Sequence, residues 1–263
     1  MSENHTFKYQ DQEIAYEKAG NGKPLVILHG WGSSKRAMMP VAQNLAQLRT
    51  SYVIDLPGFG DSPEPSGAWA IDDYADAIQA FIESLEEDKV DLLVHSFGGR
   101  IMLKLCAREF GKSHVDKVLI TGGAGMKPKR SLKFYIRKYT AKILKAPFMI
   151  LPGSLRAKAL GWLRTTAVWK SLGSSDYSKL SGVMRETFVK SVTEYLESSL
   201  PNIPHEVLLL WGRNDDATPV YQGQRIEKGI NNAALVIIED AGHYAFLDKP
   251  KQFARIAEAF FKG

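Results

Sequence analysis

The sequence predicts a mixed α/β fold: a doubly wound, mostly parallel sheet with an inserted helical segment. Three observations lead there. Short apolar runs recur along the 263 residues, and stretches of helical periodicity lie between them. The runs are uninterrupted rather than alternating, as in strands buried on both faces. One long interval, between Thr121 and Glu206, contains helical patterns but no strand-like run.

The elements follow in order. His5–Tyr9 and Glu13–Glu17 alternate around Asp11-Gln12 and predict an antiparallel hairpin. Buried strands are predicted at Leu25–Leu28, Tyr52–Ile54, Leu92–Val94, Val118–Ile120, Val207–Leu210 and Leu235–Ile238. Ala75, Ile78, Phe81, Ile82 and Leu85 share one helical face; Ile101, Leu103, Leu105 and Phe110 lie in a second helical pattern. Phe253, Ile256, Ala257 and Phe260 define the last helix, with Pro250 suited to its first turn. A structureless loop spanning the long interval would be exceptional. The expected organisation is therefore a core of 1–124 and 203–263 with a helical cap at 125–202.

Composition sets limits. At 44% hydrophobic and 24% charged residues the chain can bury a core, which excludes a disordered protein. A single cysteine, Cys106, excludes an internal disulfide and a cysteine-rich zinc module, and its expected role is small core filling. The net charge of +5 is unevenly distributed. Lys117 to Ser175 holds thirteen basic residues and no acidic one; the rest has 21 basic and 29 acidic residues, a net of −8. An acidic body with a basic insert does not fit a nucleic-acid binder. The polar start, Met1-Ser-Glu-Asn-His, lacks the features of a signal peptide, and no apolar stretch reaches 18 residues. The expected location is the cytoplasm.

Four loops, each just past a predicted strand, carry chemistry. Val94-His95-Ser96-Phe97-Gly98-Gly99 would place a serine hydroxyl on a sharp strand-to-helix turn, beside free N–H groups at the helix start. Its plain alternative is an ordinary glycine-rich turn. His29-Gly30-Trp31-Gly32 can turn back over that serine, and the Trp31 N–H with the Phe97 N–H would form an oxyanion hole. The Trp31 side chain can simply pack. Asp215 and Asp216 follow the next-to-last strand, and either could orient a histidine or serve a turn. His243 follows the last strand; taken alone, it is more often structural. Together, Ser96, Asp215 and His243 stand in the chain order of a known triad, and parallel strands bring all those ends to one sheet edge.

At this point the sequence resembles the α/β-hydrolase superfamily in its capped, single-domain, carboxylesterase-like form. The matching stretches are HGWG (29–32), DLPGFGDS (55–62), VHSFGG (94–99), WGRNDDATP (211–219) and GHYAFLDKP (242–250). The resemblance implies Ser96 as nucleophile, His243 as base and Asp215 as third member, because an acid followed by x-x-x-Pro matches Asp215 with Pro219 and not Asp216. His29, Gly30 and Gly32 would support the oxyanion loop. The usual Gly-x-Ser-x-Gly begins here with Val94. The 55–62 stretch is structural in the family, and His95 is expected to pack.

The expected reaction is hydrolysis of a carboxylic ester through an acyl-enzyme, with no cofactor and no metal. Relatives of this fold that are haloalkane dehalogenases or epoxide hydrolases place an aspartate where Ser96 stands, so both are disfavoured. Carbon–carbon bond hydrolases and perhydrolases share the triad, and a slow or non-catalytic ligand receptor on the same fold is the rival from another class. The expected partner is a small molecule with an apolar acyl or ring group; no nucleic acid is expected. In 132–146, Leu132, Tyr135, Ile136, Tyr139 and Ile143 share a helical face, and Lys133, Arg137, Lys138, Lys142 and Lys145 spread over the other. The preferred reading is that this apolar face covers the active site; membrane-surface contact comes second and an anionic substrate third. Phe148, Met149, Trp162, Leu163 and Trp169 would add to an apolar pocket or to cap packing.

Overall fold

The computed structural model describes residues 3–129, 132–166, 180 and 182–263. Its strands are β1 (Glu3–Tyr9), β2 (Gln12–Gly20), β3 (Lys23–Leu28), β4 (Arg49–Ile54), β5 (Val90–His95), β6 (Val115–Thr121), β7 (Glu206–Gly212) and β8 (Ala233–Ile238). They form one sheet in the order β1-β2-β4-β3-β5-β6-β7-β8. β1 pairs β2 and β2 pairs β4 antiparallel; all other pairs are parallel. The fold class is the predicted one, and every predicted strand is present.

The helices are α1 (Lys35–Asn44), α2 (Ile71–Glu83), α3 (Phe97–Ala107), α4 (Glu109–His114), α5 (Leu132–Lys145), α6 (Gly153–Thr165), α7 (Gly182–Thr193), α8 (Val220–Gly229), α9 (Ala245–Asp248) and α10 (Pro250–Lys262). The pattern that ran from Ile101 to Phe110 divides into α3 and α4, because Arg108 is extended (φ −81°, ψ 158°). Its guanidinium instead reaches Asp72 and Asp76 on α2, at 2.8 and 2.5 Å. α1 and α8 were not legible; the first holds Pro40 mid-helix and the second is polar and glycine-containing.

Two faces of the sheet are covered, as strand alternation requires. Leu25 and Ile27 join Met38 of α1, Leu45 just past its end, and Phe253, Ala257 and Phe261 of α10 in one apolar cluster. Leu28, of opposite parity, faces α3: a Cβ on Gly98 would lie 2.8 Å from the Leu28 Cβ. The amino edge is closed by ion pairs. Asp91, fully buried at the start of β5, accepts from Lys23 Nζ and Arg49 Nε, both at 2.9 Å, and from the Lys117 N–H at 3.1 Å. Such a buried carboxylate persists only when its oxygens are satisfied. The opposite, carboxyl edge is left for the loops.

The chain divides into two compact units, Met1–Lys127 with Glu186–Gly263, and Pro128–Arg185. The second is narrower than the 125–202 insert expected from sequence, since residues 186–202 cluster with the first. Hydrogen bonds anchor that return segment, among them those from the Trp69 N–H to Thr187 Oγ1 (3.1 Å), from Lys190 Nζ to the Ala68 carbonyl (2.6 Å) and from the Leu196 N–H to the Gly125 carbonyl (2.9 Å).

Within the second unit, the amphipathic segment is helical as expected. Tyr135, Ile136, Tyr139 and Ile143 are 44–71% exposed. Met149 and Trp162 are also exposed, whereas Leu163 is buried. The side chains of Leu132, Lys133, Arg137 and Lys138, and Trp169 altogether, lie outside the described residues.

Candidate active site

The carboxyl edge gathers every loop singled out from sequence. Ser96 occupies the turn between β5 and α3 at φ 49° and ψ −105°. A non-glycine residue there is strained, at about 1–3 kcal/mol, and persists only where the surroundings impose it. They do so here. The Ser96 N–H donates to the Thr121 carbonyl (3.1 Å), and its own carbonyl accepts from Gly99 (3.0 Å) and Ala124 (2.9 Å). Tightness falls on the helix side of the turn. Gly98 has no room for a Cβ against Leu28, while Val94 is simply a buried β5 residue flanked by Leu28 and Ile120. The departure from glycine at position 94 therefore costs the turn nothing visible.

His29–Gly32 lies beside that turn. The Gly98 N–H donates to the His29 carbonyl at 3.2 Å, and a Cβ on Gly30 would sit 3.1 Å from the Ser96 Cβ. His29 is fully buried, its Nδ1–H directed at the Gly30 carbonyl (2.7 Å), and its Nε2 accepts from the Leu56 N–H (3.0 Å). Burial pushes its pKa down to about 4, so it is a neutral strut of the loop. Gly32 turns the loop at φ 69°. The Trp31 ring meets Phe97 edge-on at 5.1 Å and Phe59 at 4.9 Å, so Trp31 and the start of α3 are held together by ring packing. First-turn N–H groups of a helix have no partner within it, and Phe97 is the first residue of α3.

Asp215 and His243 meet. Asp215 Oδ2 lies 2.9 Å from His243 Nδ1, and the Asp215 side chain is fully buried. The carboxylate also accepts the N–H groups of Ala217 (2.9 Å) and Thr218 (2.7 Å) at Oδ1. Asp216 is exposed and makes no such set. With Nδ1–H donated to Asp215, the His243 Nε2 lone pair is available as a base. Two residues that sequence reasoning passed over complete the arrangement. Thr218 Oγ1 is within hydrogen-bond reach of Asp215 Oδ2 (2.8 Å) and the Gly122 carbonyl (2.9 Å). Gly122, at φ 55°, leaves space that a Cβ would close to 3.0 Å from His243 Nδ1. The visible signals were a glycine pair directly after a strand and a threonine three residues past the acid.

His95 packs, as expected, and it packs against the site. Its ring centroid is 4.7 Å from His243 and 5.0 Å from Tyr244. Burial, reinforced by the neighbouring His243, pushes its pKa down to about 3. A neutral His95 places no charge beside His243. The 55–62 stretch is structural: Asp55 accepts from the Lys35 N–H and Nζ at 2.5 and 2.9 Å and from the Asp61 N–H at 2.8 Å. Lys35 is a buried cation that sequence reasoning did not single out. Among the described residues no His/Cys/Asp/Glu group has the makings of a metal site, and no helix is long and apolar enough to cross a membrane.

The profile of the alpha/beta hydrolase fold family matches residues 23–250, and the chain belongs to that family. The chain is 24% identical over 261 residues to a pimeloyl-[acyl-carrier protein] methyl ester esterase of Nitrosomonas europaea, covering 94% of this chain and 98% of that one. It is 25% identical over 254 residues to a 2-hydroxymuconate semialdehyde hydrolase of Pseudomonas sp. (strain CF600), covering 92% and 88%. Among solved structures, an esterase (EaEST) from Exiguobacterium antarcticum superposes with a TM-score of 0.75 at 23% identity, covering 99% of this chain and 100% of that one.

Proposed function

We propose that the protein is a serine hydrolase of carboxylic esters. One observation carries this: Ser96 is held in a strained strand-to-helix turn on the same sheet edge where a buried Asp215 is paired to His243 at 2.9 Å. His243 Nε2 takes the Ser96 hydroxyl proton as Oγ adds to the ester carbonyl. The oxyanion is held by the N–H groups of Trp31 and Phe97. His243 returns the proton to the departing alkoxide, leaving an acyl-serine. Water, deprotonated by His243, then releases the acid and restores Ser96. Asp215 fixes the imidazole tautomer and offsets its transient charge. Removing one oxyanion donor from such a site costs about 2.7–4 kcal/mol of transition-state stabilisation.

The 128–185 unit is inserted in the chain between β6 and β7, as a cap is in this reading, and its apolar side chains fit a substrate with an acyl or ring group. The match to a 2-hydroxymuconate semialdehyde hydrolase favours one second reading, cleavage of a carbon–carbon bond next to a carbonyl by the same three residues. A panel of p-nitrophenyl esters from acetyl to long acyl separates the cases. The ester reading expects turnover by the wild type and loss in Ser96→Ala. Turnover of the semialdehyde without turnover of any ester would replace it with the second reading. Saturable binding of esters without turnover would make the protein a receptor.

A further inference from the structure

We propose that the 128–185 unit docks on an anionic lipid surface through helix α5. Two independent features of that unit coincide on one helix. It holds thirteen Lys and Arg residues and a single acid, Asp176. Of the twelve large apolar side chains exposed among the described residues, eight lie in it. On α5 these two properties share one helix. Ile136, Tyr139 and Ile143 fall within an arc of about 60° and are 58%, 56% and 71% exposed; Lys142 lies about 60° beyond Tyr139 and Lys145 about 60° further round. No acidic residue falls between Lys117 and Ser175, so no carboxylate on the helix opposes an anionic partner.

Charge and apolarity together select the partner. Monomeric proteins rarely leave clustered aliphatic side chains in water without an interaction to make there. A nucleic acid would attract the lysines but offers no hydrocarbon to Ile136 and Ile143. A second copy would offer hydrocarbon but would set two like-charged units against each other. An anionic bilayer surface supplies both, phosphates at headgroup level and acyl chain just beneath. The 14 residues of α5 make a rod about 21 Å long, long enough to lie in the interface plane and too short to span it. Ile136 and Ile143 would enter the acyl boundary, Tyr139 would sit at its polar margin, and Lys142 and Lys145 would face the phosphates.

The test is co-sedimentation of the full chain with vesicles of equal parts phosphatidylglycerol and phosphatidylcholine, beside vesicles of phosphatidylcholine alone and a fluorescent DNA duplex. The proposal expects binding to the mixed vesicles at low salt, little to phosphatidylcholine alone, and a fall in binding as salt is added. Lys142→Gln with Lys145→Gln should weaken the partition by about fivefold for each lysine, roughly 25-fold for the pair. Ile136→Ser with Ile143→Ser should weaken it by about tenfold or more at unchanged charge. All four positions lie on one helix with exposed neighbours, and a circular dichroism melt matching wild type shows that the variants fold. No sedimentation with mixed vesicles at low salt overturns the proposal. So does DNA binding as tight as vesicle binding that ignores the isoleucine pair, which would mark a plain polyanion site. Self-association abolished by the isoleucine pair, with vesicle binding intact, would assign the face to a second copy instead.

Discussion

The two compact units of this chain solve opposite problems. In the first, apolar surface is turned inward: Leu25, Val26, Ile27 and Leu28 of β3 are all fully buried, and even the charged Asp91 is buried beside Lys23 and Arg49. In the second, much of the described apolar surface is exposed, with Ile150 86% exposed and Ile143 71% exposed. A buried frame can hold a strained serine and a paired Asp215–His243; an outward-facing apolar unit is available for contact with something else. One chain thus separates a part with a buried frame from a part with exposed apolar side chains.

The contrast is sharpest in the effect of substitutions. Asp215→Asn should lower kcat by about 10^4, because an asparagine cannot fix the imidazole tautomer in the same way. Asp216→Asn, one residue away and exposed, should leave kcat within a few-fold; steady-state ester hydrolysis by both variants distinguishes them. Equal losses would mean that the pairing at 2.9 Å is not what matters.

Stability should divide along the same line. Phe253→Ala, at a side chain 1% exposed between α9, α10 and the sheet, should cost about 3–5 kcal/mol in a denaturant titration. Ile143→Ala should change the same titration by no more than about 0.5 kcal/mol. A large loss at Ile143 would mean that the α5 face is packed in solution.

A smaller effect is set by pH. His29 and His95 ionise near 6.5 in an unfolded chain but are held down to about 4 and about 3 by burial. Below pH 6.5 the unfolded state therefore binds more protons than the folded one, and stability falls as pH falls toward those values; above 6.5 neither contributes. By pH 5 each histidine should cost about 2 kcal/mol relative to pH 8. Denaturant titrations at the two pH values should show the drop, and His95→Gln should show about 2 kcal/mol less of it. An unchanged drop in that variant would remove His95 from the explanation.

Much of this was legible in the sequence, for physical reasons. Buried parallel strands read as uninterrupted apolar runs, so β3 to β8 were visible. The loops that follow them inherit a common edge from strand direction alone, which is why Ser96, Asp215 and His243 could be grouped before any geometry was known. What stayed hidden depends on contacts far apart in sequence. Thr218 is tied to the Gly122 carbonyl 96 residues earlier as well as to Asp215, and Lys35 to Asp55 and Asp61. The break at Arg108 depends on carboxylates of another helix, and no local pattern announces it. For α5 the sequence located the apolar arc but not its exposure, since periodicity shows which side chains share a face and says nothing about what lies opposite.

The most direct test is covalent. Incubation with a fluorophosphonate, followed by mass spectrometry of the intact chain and of its peptides, asks which residue is the activated nucleophile. The prediction is a single adduct on the peptide containing Ser96, absent in Ser96→Ala and formed far more slowly in His243→Ala. Equal labelling of wild type and Ser96→Ala, or an adduct on another residue, would contradict the assignment.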